Sequence, residues 1–249
     1  MAYHSLLNTT EHRPWPIPQR PWVMTQTWHN LLFAHWALSP EVLRPLVPPC
    51  FPLDTFEGQA WVGVVPFRMS NIHFRHVPPI PFTHRFPELN LRTYVTVDDK
   101  PGVYFFSLDA ANLIAVWTAR WWFNLPYYQA KMELRPMADE FHYDSRRTHP
   151  GAAPAEFRGR YQPISAPYLA EPGTLDHWLT ERYCLYTVDR QQRPYRGEIH
   201  HIPWPLQRAT ATIDHNTIAT AAQISLPSGP PLCHYAQELV VLVWPLERI

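Results

Sequence analysis

The sequence predicts an α+β protein dominated by antiparallel β-strands, with a sheet long enough to close on itself and a few attached helices. Three observations lead there. Most apolar runs alternate with a period of two, the signature of strands with two distinct faces. Helical spacing is confined to a few windows. Prolines number 29 against 8 glycines, and because proline is excluded from helix interiors and central strands, such a chain has many element boundaries and stiff loops. Aromatic residues, 14% of the chain, suffice to build a large core or line a cavity.

Residues 1–21 end in "HRPWPIPQRP", a proline-broken arm expected to lie extended, without a helix, over a single domain formed by residues 22–249. β-Branched and aromatic side chains over 22–38 predict a strand. It ends at "SPEVLRPLVP", where Ser39 can cap a short helix and Pro40 takes its first position. "AWVGVVPFRMSNIHF" predicts a long strand with Trp61, Gly63, Val65, Phe67 and Met69 on one face and Arg68 on the other. In "ELNLRTYVTVDD", Glu88, Asn90 and Arg92 point one way, Leu89, Leu91 and Thr93 the other. The turn "DDKPG" joins that strand to "VYFFSL" as a hairpin. "DAANLIAVWTARWWF" has the best helical spacing in the chain, with Asp109 as its N-cap and an end at Asn124, before Pro126. "YYQAKMEL", "EFHYDSRR" and "AEFRGRYQP" follow as successive antiparallel strands. "GTLDHWLTERY" predicts a second short helix capped by Thr174, "CLYTVDR" and "YRGEIHHI" a further hairpin, and "LQRATATI" and "YAQELVVLVWPL" the last strands, with a helical turn around "NTIATAA".

Composition excludes several functions. Basic and acidic residues number 21 each and the pI is about 7.3, so no net field favours nucleic acid. Cys50, Cys184 and Cys233 are odd in number and lack C-x-x-C spacing, which argues against a disulfide framework or a zinc ribbon. The histidines lack H-x-H or H-E-x-x-H spacing, so no metal site is expected. The adjacent His200 and His201 face opposite ways on a strand. One of them can reach a cavity as a base or sit there as a hydrogen-bonded structural residue. No G-x-S-x-G, Walker or dinucleotide pattern occurs, and no cofactor is expected. The N-terminus does not read as a signal peptide and "LVVLVWPL" is too short to span a bilayer, so a cytoplasmic protein with no membrane partner is expected.

Six blocks in order, "AWVGVVPFRM", "FPELNLRTYV", "PGVYFFSLDA", "LPYYQAKM", "LTERYCLY" and "IHHIPWPLQRA", resemble the YqjF-like family of uncharacterised bacterial proteins, within the acetoacetate-decarboxylase-like superfamily. The resemblance covers almost the full chain and implies a closed or cone-like β-barrel of the acetoacetate-decarboxylase-like type. In the decarboxylase a strand glutamate precedes a hairpin and then a helix ending in G-R-E-x-x-G-F-P-K-K. "FFSLDAANLIAVWTARWWFNLPYY" has that layout. Arg120 resembles the motif's arginine, Leu125-Pro126 its F-P pair and Glu88 the strand glutamate. The lysine pair falls on Tyr127 and Tyr128, and tyrosine cannot form an imine. The only lysines are Lys100, in a turn, and Lys131, about 13 Å along the strand from Tyr127. Schiff-base decarboxylation is therefore not expected.

Two functions stay open, and with them whether the protein is an enzyme. In the first it binds a small organic carboxylate or carbonyl compound in the barrel. In the second it is a lyase or isomerase working without an imine, with Glu88 as acid/base and Arg92 as clamp. Glu88 and Tyr127 are the candidate catalytic residues. Arg68, Asn90, Arg92, Tyr104, Arg120 and His201 are the candidate ligand contacts. Each has a plainer reading: Glu88 and Arg92 as an internal ion pair, Tyr127 as an aromatic wall with a satisfied hydroxyl. A closed Glu88–Arg92 pair would mark a structural or binding role, and a Glu88 with a shifted pKa open to the cavity an acid/base role. The expected partner is a small molecule, and the proline-rich arm is a candidate contact for a homo-oligomer.

Overall fold

The structure is a computed structural model and describes residues 2–77, 85–112 and 123–249. Among them the strands are β1 (Met24–Leu38), β2 (Ala60–Phe74), β3 (Arg85–Val97), β4 (Lys100–Ala110), β5 (Tyr127–Met137), β6 (Glu140–Arg147), β7 (Glu156–Pro163), β8 (Cys184–Val188), β9 (Pro194–His200), β10 (Leu206–Asn216), β11 (Leu232–Val243) and β12 (Glu247–Arg248). β7 and β10 alternate in burial as their sequence periodicity requires, and β2 occupies the whole predicted run "AWVGVVPFRMSNIHF".

The sheet order is β12-β9-β8-β4-β3-β2-β1-β11-β10-β7-β6-β5, and additional β4–β5 and β9–β11 pairings close it. The β4–β5 contact completes a nine-strand mixed barrel through β1–β7, β10 and β11. The β9–β11 contact completes a second circuit, through β1, β2, β3, β4, β8, β9 and β11. Pairings are antiparallel except β4–β5 and β4–β8.

β2 is shared by the two circuits and buried on both faces over most of its length, which is why it reads as a nearly continuous apolar run. Its Val62 and Val64 pack with Leu89, Leu91, Tyr143, Phe157 and Tyr161 in one core. Its Val65, Phe67 and Met69 join Leu31, Phe86, Leu239 and Trp204 in another. The β3–β4 hairpin turns on Asp98 and Asp99, both at positive φ (52° and 56°), with Val97 paired to Lys100. Two successive left-handed residues are what a tight hairpin turn requires, and aspartate tolerates that conformation.

The helices are short. Pro40–Leu43 begins at Pro40 as expected, but the Ser39 hydroxyl bonds the Glu41 carboxylate and makes no side-chain hydrogen bond to the helix backbone. Thr174 caps Leu175–Thr180 by accepting the His177 N–H. Two expectations are corrected. Ala2–Asn8 is helical, although the arm was expected to be extended throughout. This segment precedes the first proline, and Leu6 is drawn into a cluster with Leu242 and Trp244. Asp109 is not a helix cap: it lies in β4 opposite Leu89, and Arg147 on β6 holds both its carboxylate oxygens at 2.7 Å. Residues 113–122 of the helical window lie outside the described residues. No helix among those described is long and apolar enough to cross a membrane.

Candidate functional site

A cavity of about 180 Å³ lies inside the circuit of β1, β2, β3, β4, β8, β9 and β11. Its wall is mostly apolar, with Val65, Phe67 and Met69 from β2, Phe105 and Leu108 from β4, and Trp204 from the segment before β10. Alternation along β3 brings Glu88, Asn90 and Arg92 into this wall while Leu89 and Leu91 go to the other core.

Glu88 is 1% exposed, and among the described residues no cation forms an ion pair with it. Tyr127, entering from the start of β5, donates its hydroxyl toward both carboxylate oxygens at 3.2 and 3.1 Å. Burial pushes the Glu88 pKa up to about 8, against hydrogen bonds from Tyr127 and Asn90 that pull it down; the nearby Asp109 adds to the rise. Desolvation is the dominant cause, because an ionised carboxylate loses its water here without gaining a cation. The Tyr127 phenol is driven well above its ordinary range by burial and by Glu88, and stays protonated. The result is a neutral, hydrogen-bonding acid in an apolar chamber.

Arg92 is held differently. One Nη2 hydrogen bond goes to the carbonyl of Leu179 at 3.2 Å and another to the Tyr94 hydroxyl at 3.4 Å. Its guanidinium lies over the Phe33 and Tyr94 rings. Among the described residues no carboxylate pairs with it, so the Glu88–Arg92 ion pair expected as the plainer reading does not form. His201 faces the cavity and His200 faces the N-terminal arm, where its Nε2 donates to Leu6 O at 2.8 Å. His201 Nδ1 donates to the carbonyl of Ile202 at 2.7 Å, and burial lowers its pKa to about 4, so its imidazole is neutral near pH 7.

Other candidates are placed elsewhere. Arg68 points to the opposite face of β2 from Phe67 and donates to Leu134 O at 2.6 Å, outside the cavity. Tyr104 packs with Phe51 and Phe106 and is not in the wall either. In both cases strand parity decides, since each neighbours residues that do line the cavity. Arg120 lies outside the described residues. Tyr128 stacks edge-on with His149 beneath the Arg147 guanidinium. Lys100 pairs with Glu198 at 2.9 Å and Lys131 is exposed. No metal-binding group of histidine, cysteine or carboxylate residues occurs among the described residues.

Sequence reasoning missed Arg182. It lines the cavity with its Nη1 on Asp54 at 2.7 Å and its Nε on the carbonyl of Trp178 at 2.6 Å. Its one sequence signal is a position at the end of the predicted helix "GTLDHWLTERY", inside the block "LTERYCLY".

Residues 25–240 match the DUF2071 family, described as an uncharacterized conserved protein. The chain belongs to that family. A relative of the DUF2071 protein, the uncharacterized protein YqjF of Bacillus subtilis (strain 168), is 49% identical over 232 residues, covering 93% of this chain and 95% of YqjF. Solved structures share the fold at low identity. The enduracididine biosynthesis enzyme MppR complexed with pyruvate superposes with a TM-score of 0.62 at 11% identity, over 94% of this chain and 93% of its own. Acetoacetate decarboxylase from Legionella pneumophila gives 0.60 at 13% identity, over 97% and 93%. The DUF2071 chain thus has the acetoacetate-decarboxylase-like fold that its motif order implied.

Proposed function

We propose that this protein captures a small organic carboxylate or carbonyl compound in the cavity walled by β2, β3 and β4, and that it does so without forming a Schiff base. The observation that carries a ligand site over a purely structural stripe is the state of β3: Glu88 is a neutral acid held by Tyr127, and Arg92 is a cation without a carboxylate partner among the described residues. Because the two do not close into a pair, the same observation supports an acid/base role for Glu88 within that site. A purely structural stripe would pair the two. An apolar chamber with a few convergent polar groups is the usual form of a small-molecule site. The fold relatives include an enzyme complexed with pyruvate, which is consistent with a ligand of this class.

The absence of imine chemistry rests on the amines. Tyr127 brings a phenol to the cavity where the decarboxylase motif has lysine, Lys100 is engaged with Glu198, and Lys131 is exposed. The raised pKa of Glu88 also favours the second reading, in which a bound carbonyl accepts the Glu88 proton during a lyase or isomerase step.

The test is a thermal-shift screen of purified protein with short oxo-, hydroxy- and unsaturated carboxylates, followed by turnover assays and borohydride trapping. A ligand at 100 times its Kd adds about 2.7 kcal/mol of stability. The expected result is a stabilising compound whose effect is lost in Arg92→Ala and which leaves no reduced covalent adduct. A library without any stabilising member, combined with strong destabilisation by Arg92→Ala or Glu88→Gln, would return the stripe to a structural role.

A further inference from the structure

Arg92 and Arg182 come from distant parts of the chain, β3 and the segment after the helix Leu175–Thr180, yet both line the cavity. Both lie against one ring: the Arg92 Cζ is 5.6 Å and the Arg182 Cζ 5.0 Å from the Tyr94 centroid. Each donates to a carbonyl at the end of that helix, Arg92 to Leu179 and Arg182 to Trp178, which fixes their positions as a helix C-terminus prefers. That structural duty does not use all their donors. Among the described residues, Arg92 Nε and Arg182 Nη2 are buried without a hydrogen-bond partner, and so is Nε1 of Trp204, another residue of the wall. Phe33 connects them, with Arg92 at 5.1 Å from its ring and Trp204 at 5.0 Å.

Unsatisfied buried N–H groups cost free energy and are rare unless something else accepts from them. Asp54 takes one edge of Arg182. Glu181 is not in the wall, and its oxygens accept from the Trp204 backbone N–H and the Tyr183 hydroxyl. Among the described residues no acid is left for Arg92.

We propose that Arg92 and Arg182 together seat one carboxylate of the ligand, so that the ligand is a monocarboxylate carrying a neutral carbonyl toward Glu88. This rests on the functional reading above and narrows it. A remaining N–H donor from each guanidinium suits a carboxylate, while a neutral Glu88 donates to a carbonyl and would repel nothing there. Glu88 and Arg92 are four residues apart on one strand, about 13 Å of backbone. The two ends of the ligand are therefore separated by several bonds, and a dicarboxylate or an amine has no matching partner at Glu88.

The experiment is a calorimetric titration of the full chain with 2-oxopropanoate, 3-oxobutanoate, 4-oxopentanoate and 5-oxohexanoate, each beside its uncharged amide. The wild type is expected to bind one of the longer carboxylates and its amide at least ~10-fold more weakly. Arg182→Gln should weaken carboxylate binding ~10-fold or more, and Asp54→Asn, which removes the competing acid, should strengthen it. Should Arg182→Gln fail to fold, Arg182→Lys and Asp54→Asn decide. If Arg92→Ala abolishes binding while the Arg182 and Asp54 variants leave Kd unchanged, the two-arginine seat is wrong and the functional reading survives. If no member of the series binds the wild type, both are overturned.

Discussion

At the scale of single residues, Glu88 concentrates most of the chemistry in this molecule. Its place on the inward face of β3 was legible from alternation alone, and so was its neighbourhood with Asn90 and Arg92. Its protonation was not, because that depends on water being excluded by Phe67, Leu108 and Tyr127, which come from three other strands. A carboxyl raised from 4.5 to about 8 holds its proton more tightly folded than unfolded. Its contribution to stability is thus fully present below about pH 4.5 and is lost as pH rises through about 8. Urea unfolding of wild type and Glu88→Gln across that window should show the variant gaining on the wild type by roughly 1.4 kcal/mol per pH unit, with a plateau above it. A difference that stays constant with pH would mean that Glu88 titrates normally. His201 was legible only as one of a pair. That it is the inward member follows from the register of β9, whose His200 pairs with Leu242 and whose outer face receives the arm.

At the scale of elements, strand identities were readable because each strand carries its own periodicity, while the partners that bury its two faces leave no local mark. β4 is the clearest case. It pairs with β3 as the hairpin its turn sequence dictates, but it also runs parallel to β5 and to β8, contacts that no local pattern announces. The closeness of the β4–β8 junction is set by Gly102, where an added Cβ would meet the Cys184 carbonyl oxygen at 2.6 Å and its Sγ at 2.7 Å. Gly102→Ala is expected to force these strands apart and cost about 1–3 kcal/mol, read as a lower urea midpoint. An unchanged midpoint would show the junction to be slack. The helix end at Leu179 and Trp178 teaches the same lesson, since its carbonyls recruit Arg92 and Arg182 from separate elements. Sequence spacing had no means of joining those two arginines.

At the scale of the whole molecule, one sheet closes twice, and the buried Asp109–Arg147 pair ties β4 to β6, two strands of the nine-strand barrel. Asp109→Asn leaves the Arg147 guanidinium buried without its counter-charge and should cost about 3 kcal/mol in chemical unfolding. The cap role expected from sequence would cost about 1 kcal/mol, so the size of the loss distinguishes the two accounts. The misassignment arose because an aspartate ahead of a helically spaced run has the same local signature whether it caps a helix or ends a strand against an arginine 38 residues away. By itself the sequence determined the family, the strands with their two faces, the polar stripe on β3 and the phenol in place of an amine at Tyr127. These are properties of residue type and local spacing. Only the tertiary structure decided that β9 meets β11 and β4 meets β5. Those long-range pairings divide the interior, drive Glu88 to neutrality and bring Arg182 to Arg92, because burial and the meeting of distant groups are set by how strands close around a space.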